Sequence, residues 1–169
     1  EFTGILLIGQ DKKLVTPASV NTVIGTRWQD GTPVLADNAL AAILGSWYAN
    51  YAPTDIDGSG EGHDVQGSMI AGNVPVVAGL GWIDASFEPG LLVDQRLGQW
   101  FSLAYNQQGT LAIGLTDDTA LEFTPNRTKV IGTNGIMLLD TSRNGIACEG
   151  ADGAGFVNPP LDHVPVPRP

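Results

Sequence analysis

The chain has 169 residues, 43% of them hydrophobic, enough for one domain with a substantial core and too apolar for disorder. Its 18 acidic residues against 8 basic ones give a formal charge of -10 with no basic stripe, which excludes a phosphate backbone or an anionic membrane as partner. No apolar run approaches the roughly 20 residues that span a bilayer, and a single cysteine, Cys148, excludes an internal disulfide and is read as a small packed thiol.

Residues 5–8, within Gly4-Ile5-Leu6-Leu7-Ile8-Gly9, read as a buried strand at the very start of the chain. Glu1-Phe2-Thr3-Gly4 lacks the basic start of a signal peptide, and a strand of the buried type at the very first residues carries the expectation that a longer precursor preceded it. A helix follows near residues 17–28, with Pro17 in its first turn and Thr16 as cap. Then come a strand at Val34–Ala36, an abrupt turn at Asp37-Asn38 and a small-residue helix over residues 39–51, closed by Pro53. Parallel pairing of the two strands requires a right-handed crossover.

This strand, turn and helix have the form of a nucleophile elbow, which presents one side chain at the tip beside helical N–H groups able to stabilise an oxyanion. The tip residue is Asn38, where a hydrolase carries Ser or Cys. An amide nitrogen is neither basic nor readily ionised, so Asn38 cannot act by base-assisted attack.

Further along, Met69-Ile70 begins a short helix or strand, residues 74–82 form a turn leading into an apolar segment, and residues 90–94 are extended. Residues 98–105 form a helix that offers Trp100, Phe101, Leu103 and Ala104 for packing, and Leu111–Leu115 is a strand. Residues 120–124, 129–131 and 136–140 read as consecutive strands joined by the polar turns Pro125-Asn126 and Thr133-Asn134-Gly135, an antiparallel addition at one sheet edge. Residues 1–145 form the domain, and 146–169 a Gly- and Pro-rich extended tail.

The ordered series Ile8-Gly9-Gln10-Asp11, Ala36-Asp37-Asn38-Ala39-Leu40-Ala41-Ala42, Gly79-Leu80-Gly81, Val93-Asp94-Gln95-Arg96-Leu97 and Leu111-Ala112-Ile113-Gly114-Leu115-Thr116-Asp117-Asp118-Thr119-Ala120-Leu121 spans about residues 5 to 140. It resembles the later portion of the cyanophycinase and dipeptidase E family of serine peptidases, whose motifs are of the types G-G-D-Q, G-T-S-A-G-A-A, G-L-G, D-Q-H-F and L-G-I-G-I-D-E-D-T-A. The resemblance implies a fold like that of class I glutamine amidotransferases: a flavodoxin-like three-layer α/β sandwich with a mostly parallel sheet, completed by an N-terminal part or chain. It also implies that the nucleophilic Ser stands at Asn38 and the activating His at Arg96, which stays protonated and cannot be a base near neutral pH. Gln95 matches the Gln beside that His, and Gln10 and Asp11 are a remnant of the strand-end motif in exchanged order. Both catalytic residues are therefore replaced together, while the glycines and core residues still specify the fold.

Other constellations are weaker. His63 and His163 have no recognisable nucleophile context, and Asp117-Asp118 reads as a turn. In the loop from Asp55 to Asp64, the oxygen donors Asp55, Asp57, Ser59 and Glu61 with Gly60 resemble the first half of a calcium loop, but position twelve is Gln66 and not a bidentate Glu. Asn126-Arg127-Thr128 is a glycosylation sequon at Asn126, and the Lys-poor, Gly-, Asn-, Asp- and Thr-rich composition resembles that of extracytoplasmic or secreted proteins. The aromatics Trp28, Trp47, Tyr48, Tyr51, Trp82, Trp100 and Phe101 are read as core, with Trp47 and Tyr51 one helical turn apart.

The leading expectation is a catalytically degenerate domain with a structural or protein-interaction role in a multi-chain assembly, needing no cofactor, whose partner polypeptide supplies the early strands. The alternatives are an active serine-peptidase-like hydrolase of cyanophycin-like or acidic peptides, and a calcium-dependent binding module.

Overall fold

The computed structural model of the protein describes residues 3–9, 18–51 and 61–142. Gln10, Asp11, Asp55, Asp57, Ser59, Cys148, His163 and the boundary at residues 145/146 lie outside them. Strand β1 (Ile5–Leu7) leads to helix α1 (Ala18–Gln29), strand β2 (Val34–Ala36) and the single turn of helix α2 (Ala39–Ala42). Strand β3 (Trp47–Ala49), helix α3 (Glu61–Ser68) and strands β4 (Val76–Ala78) and β5 (Ser86–Glu88) follow. Helix α4 (Leu97–Asn106) then precedes strands β6 (Leu111–Leu115), β7 (Thr119–Thr124), β8 (Arg127–Gly132) and β9 (Ile136–Asp140). No helix among the described residues is long and apolar enough to cross a membrane.

The architecture corrects the expected flavodoxin-like sandwich. Instead of one mostly parallel sheet there are four small ones: parallel β1-β2, antiparallel β3-β4, mixed β5-β6-β9 and antiparallel β7-β8. The reason lies just after the β2 strand. The expected helix over residues 39–51 stops at Ala42, because the carbonyls of Ile43, Leu44 and Gly45 accept from the N–H groups of Leu80, Trp82 and Gly81 and not from a next helical turn. Gly45 makes this possible: a Cβ there would overlap the carbonyl oxygen of Ala85, and one at Gly79 would overlap that of Gly45. Trp47–Ala49 is thereby released to pair with Val76–Ala78, which explains why Trp47 and Tyr51 are not a helical pair, although both pack on the same apolar cluster.

The mixed sheet is the centre of the molecule. β5 and β6 run parallel, with Phe87 opposite Ile113, and β9 lies antiparallel on the other side of β6, with Leu138 opposite Ile113. Alternation assigns the faces. Ala112 and Leu139 turn towards α4 and join Leu91, Trp100, Leu103, Ala104 and Ala49, while the indole N–H of Trp100 donates to the carbonyl of Ala112 at 3.1 Å. Phe87 and Ile113 turn the other way, beneath the β7-β8 hairpin, where Leu121 and Ile136 close over them and Phe123 meets Phe87 edge-to-face at 5.7 Å. Thus β9 is the antiparallel edge strand of the central sheet, while β7 and β8, expected beside it, form a two-stranded sheet of their own. Residues 90–94 are a succession of turns and not an extended segment, with the Asp94 N–H bonded to the Gly90 carbonyl.

Candidate functional site

The β1-β2 ladder places the elbow. Leu6 pairs with Leu35 and Leu7 with Ala36, and the Asp37 N–H extends the ladder to the Leu7 carbonyl at 3.0 Å. The chain then reverses at Asn38, with φ 49° and ψ -124°. Asn often visits the left-handed helical region, but that region has positive ψ, so this conformation is strained for any residue with a Cβ. It is held because α2 starts immediately: Ala39, Leu40 and Ala42 are buried, and the Asn38 carbonyl accepts from the Ala41 N–H at 2.9 Å. The Asn38 side chain caps nothing and is half-buried. The Leu40 and Ala41 N–H groups are committed to the carbonyls of Asp37 and Asn38.

Arg96 sits at the other end of the expected pair, at the cap of α4. Its guanidinium lies 2.7 Å from Asp94 and 3.4 Å from Glu88. Glu88 is fully buried, whereas Arg96 is 20% and Asp94 42% exposed. A buried carboxylate is tolerated only with a paired charge and hydrogen bonds, so Arg96 is a structural counter-ion. Gly90, with φ +65°, passes over Asp94, where a Cβ would approach the carboxylate to 2.6 Å. Gln95 has φ 52° and an exposed side chain. Asn38 and Arg96 share no hydrogen bond among the described residues, while Arg96, Asp94 and Glu88 are brought together. Sequence reading overlooked Glu88; the available signal was a lone carboxylate in the apolar run from Ala85 to Pro89, eight residues before Arg96.

Of the other candidates, Glu61 opens α3 and Asn126 stands exposed in the two-residue turn between β7 and β8. Asp117 and Asp118 form the β6-β7 turn, their carbonyls accepting from Asn134 Nδ2 at 2.8 Å and from the Thr133 N–H at 3.1 Å. Among the described residues no three His, Cys, Asp or Glu side chains group closely enough to hold a metal ion. Ser86 Oγ is buried without a hydrogen-bond partner, which denies it the base that a nucleophile needs. Trp28 stacks on Trp82 at 5.4 Å and pins α1 to the Gly79–Trp82 segment. Burial pushes the Tyr48 phenol above its ordinary value of 10.0.

A cavity of about 320 Å³ opens on the hairpin side of the central sheet, lined among others by Ile83, Asp84, Leu111, Phe123 and Leu138. By alternation along β5 it lies on the face opposite Glu88 and Arg96, so it does not belong to the ion-pair centre.

The chain matches no protein-family model and no curated protein.

Proposed function

We propose that this chain is a catalytically degenerate, cyanophycinase-like domain with a structural or protein-interaction role in a multi-chain, extracytoplasmic assembly. The motif series carries the likeness, since the small mixed sheets differ from that family's sandwich. The observation that carries the functional reading is Asn38: a strained turn at φ 49° and ψ -124° between a parallel strand and a helix, with an amide at its tip. Strain of this kind costs about 1–3 kcal/mol and is typical of active sites and ligand clamps. Here it presents no nucleophile. Arg96 adds to the reading, because a guanidinium committed to Glu88 and Asp94 can neither accept a proton nor leave its place without exposing a buried carboxylate to an apolar core. The partner in this reading is another polypeptide that supplies the early strands of the sheet, and no cofactor is required.

The test is hydrolysis of cyanophycin-like and aspartyl peptides by the unaltered chain and by the Asn38→Ser/Arg96→His variant, with thermal unfolding checked in parallel. The unaltered chain is expected to be inactive, and activity in it would overturn the reading. Activity gained by the double variant would support a site intact around its lost residues.

A further inference from the structure

Parallel sheets bury both faces, because the crossover helices that connect their strands lie on them. The inner face of β1-β2 obeys this rule: Ile5, Leu7, Val34 and Ala36 pack against Ile24 of α1 and Leu40 and Ile43 of the following segment. The outer face does not. Leu6 and Leu35, directly opposed in the ladder, are 59% and 63% exposed, and Ile8, two residues beyond Leu6, is 64% exposed. Two residues beyond Leu35 on the same face stands Asp37, also exposed and without a side-chain partner among the described residues. The face is therefore an apolar stripe ending in one carboxylate, beside the Asn38 turn.

Area and charge decide what covers it. Three side chains fall far short of the roughly 800 Å² that each partner of a stable dimer contributes. A second copy would also set one charge of -10 against another. A strand added at the ladder's edge would leave the stripe exposed. What fits is the cover that parallel strands ordinarily receive, a helix with apolar residues at every third or fourth position, and Asp37 selects one with Lys or Arg at the matching end.

We infer that the Leu6-Leu35-Ile8 face is the docking surface for a basic amphipathic helix of another polypeptide, seated with a cation on Asp37. This rests on the interaction role proposed above and assigns its site. The docked helix lies beside the elbow, which then serves as a rigid shelf for a partner.

The probe is a fluorescent synthetic peptide of about 18 residues, five helical turns, built of Leu and Lys at amphipathic spacing. It is titrated against the full chain by fluorescence anisotropy, with a Leu/Glu counterpart and a scrambled Leu/Lys peptide as controls. The Leu/Lys helix is expected to bind more tightly than either control. Leu6→Ser/Leu35→Ser is expected to weaken it by about tenfold or more, and Asp37→Asn by a few-fold, about what one charge contact at a rim contributes. All three substituted side chains are exposed, so unfolding temperatures should be unchanged. Binding of no peptide, binding indifferent to Leu6→Ser/Leu35→Ser, or a dimer in light scattering that this pair of substitutions dissolves would each overturn the inference. Hydrolytic activity in the unaltered chain would overturn the functional reading while leaving these binding results standing.

Discussion

The β1-β2 pair and the β5-β6-β9 sheet are built from similar residues and end differently. At the middle strand of the central sheet both faces are closed: Ala112 and Ile113, neighbours on β6, are 0% and 4% exposed because α4 covers one side and the β7-β8 hairpin the other, whereas Leu138 on the edge strand β9 is 56% exposed. In β1-β2, Leu7 is 7% exposed and its neighbour Leu6 is 59% exposed. An apolar strand is thus no guide to its own burial; the elements that fold back over it decide. At β6 the strand is covered on both faces, and in β1-β2 on one.

Cavity formation gives the largest contrast. Leu103→Ala, in the covered region, should lower stability by about 3 kcal/mol or more, whereas Leu35→Ala should change it by less than about 0.5 kcal/mol. Denaturant titration of both variants checks this, and equal effects would mean that the outer face is buried. The two regions that hold ion pairs supply the next contrast. Arg96→Met strands the Glu88 carboxylate and should cost about 2–3 kcal/mol, with most of it restored in the Glu88→Leu/Arg96→Met pair. Arg127→Met, which breaks a pair with Glu122 whose side chains are 64% and 42% exposed, should cost no more than about 0.5 kcal/mol. A smaller effect of opposite sign is expected at the elbow: Asn38→Gly should stabilise the fold by about 1 kcal/mol, since glycine tolerates positive φ without strain. An unchanged midpoint would show that the turn stores nothing.

The smallest effect is a pH dependence. The Tyr48 phenol ionises less readily when folded than the ordinary value of 10.0, because burial disfavours the phenolate. Its contribution is fully present below that value and is lost as pH rises through the folded one. Alkaline unfolding above about pH 10 should therefore be shallower in Tyr48→Phe, as pH titration of the unfolding midpoint would reveal. Tyr48 belongs to the core that backs β1-β2, so this reports how dry the inner face of the half-open region is.

The candidate site was legible where its determinants are local. Asn38 at the tip of a strand-to-helix turn could be read from Val34-Leu35-Ala36 followed by small apolar residues, since the period changes there. Arg96 could be placed, but its role could not, because Glu88 reaches it through the turns of residues 89–96 and strand assignment alone gives no such path. The same is true of the cavity under the hairpin, whose lining comes from segments as distant as Ile83 and Leu138.

By itself the sequence determined the elements whose signals are complete within a few residues: the amphipathic α4, the apolar β6, and the alternating strands that polar turns divide into β7, β8 and β9. Only the tertiary structure decided that the second helix ends at Ala42, that Trp47–Ala49 is a strand, that β9 joins the central sheet and that Leu6 and Leu35 remain uncovered. Those outcomes depend on backbone groups competing for partners far along the chain. At Gly45 and Gly79 the absence of a side chain lets two backbones meet, and hydrogen bonds between segments then replace those a helix would have made.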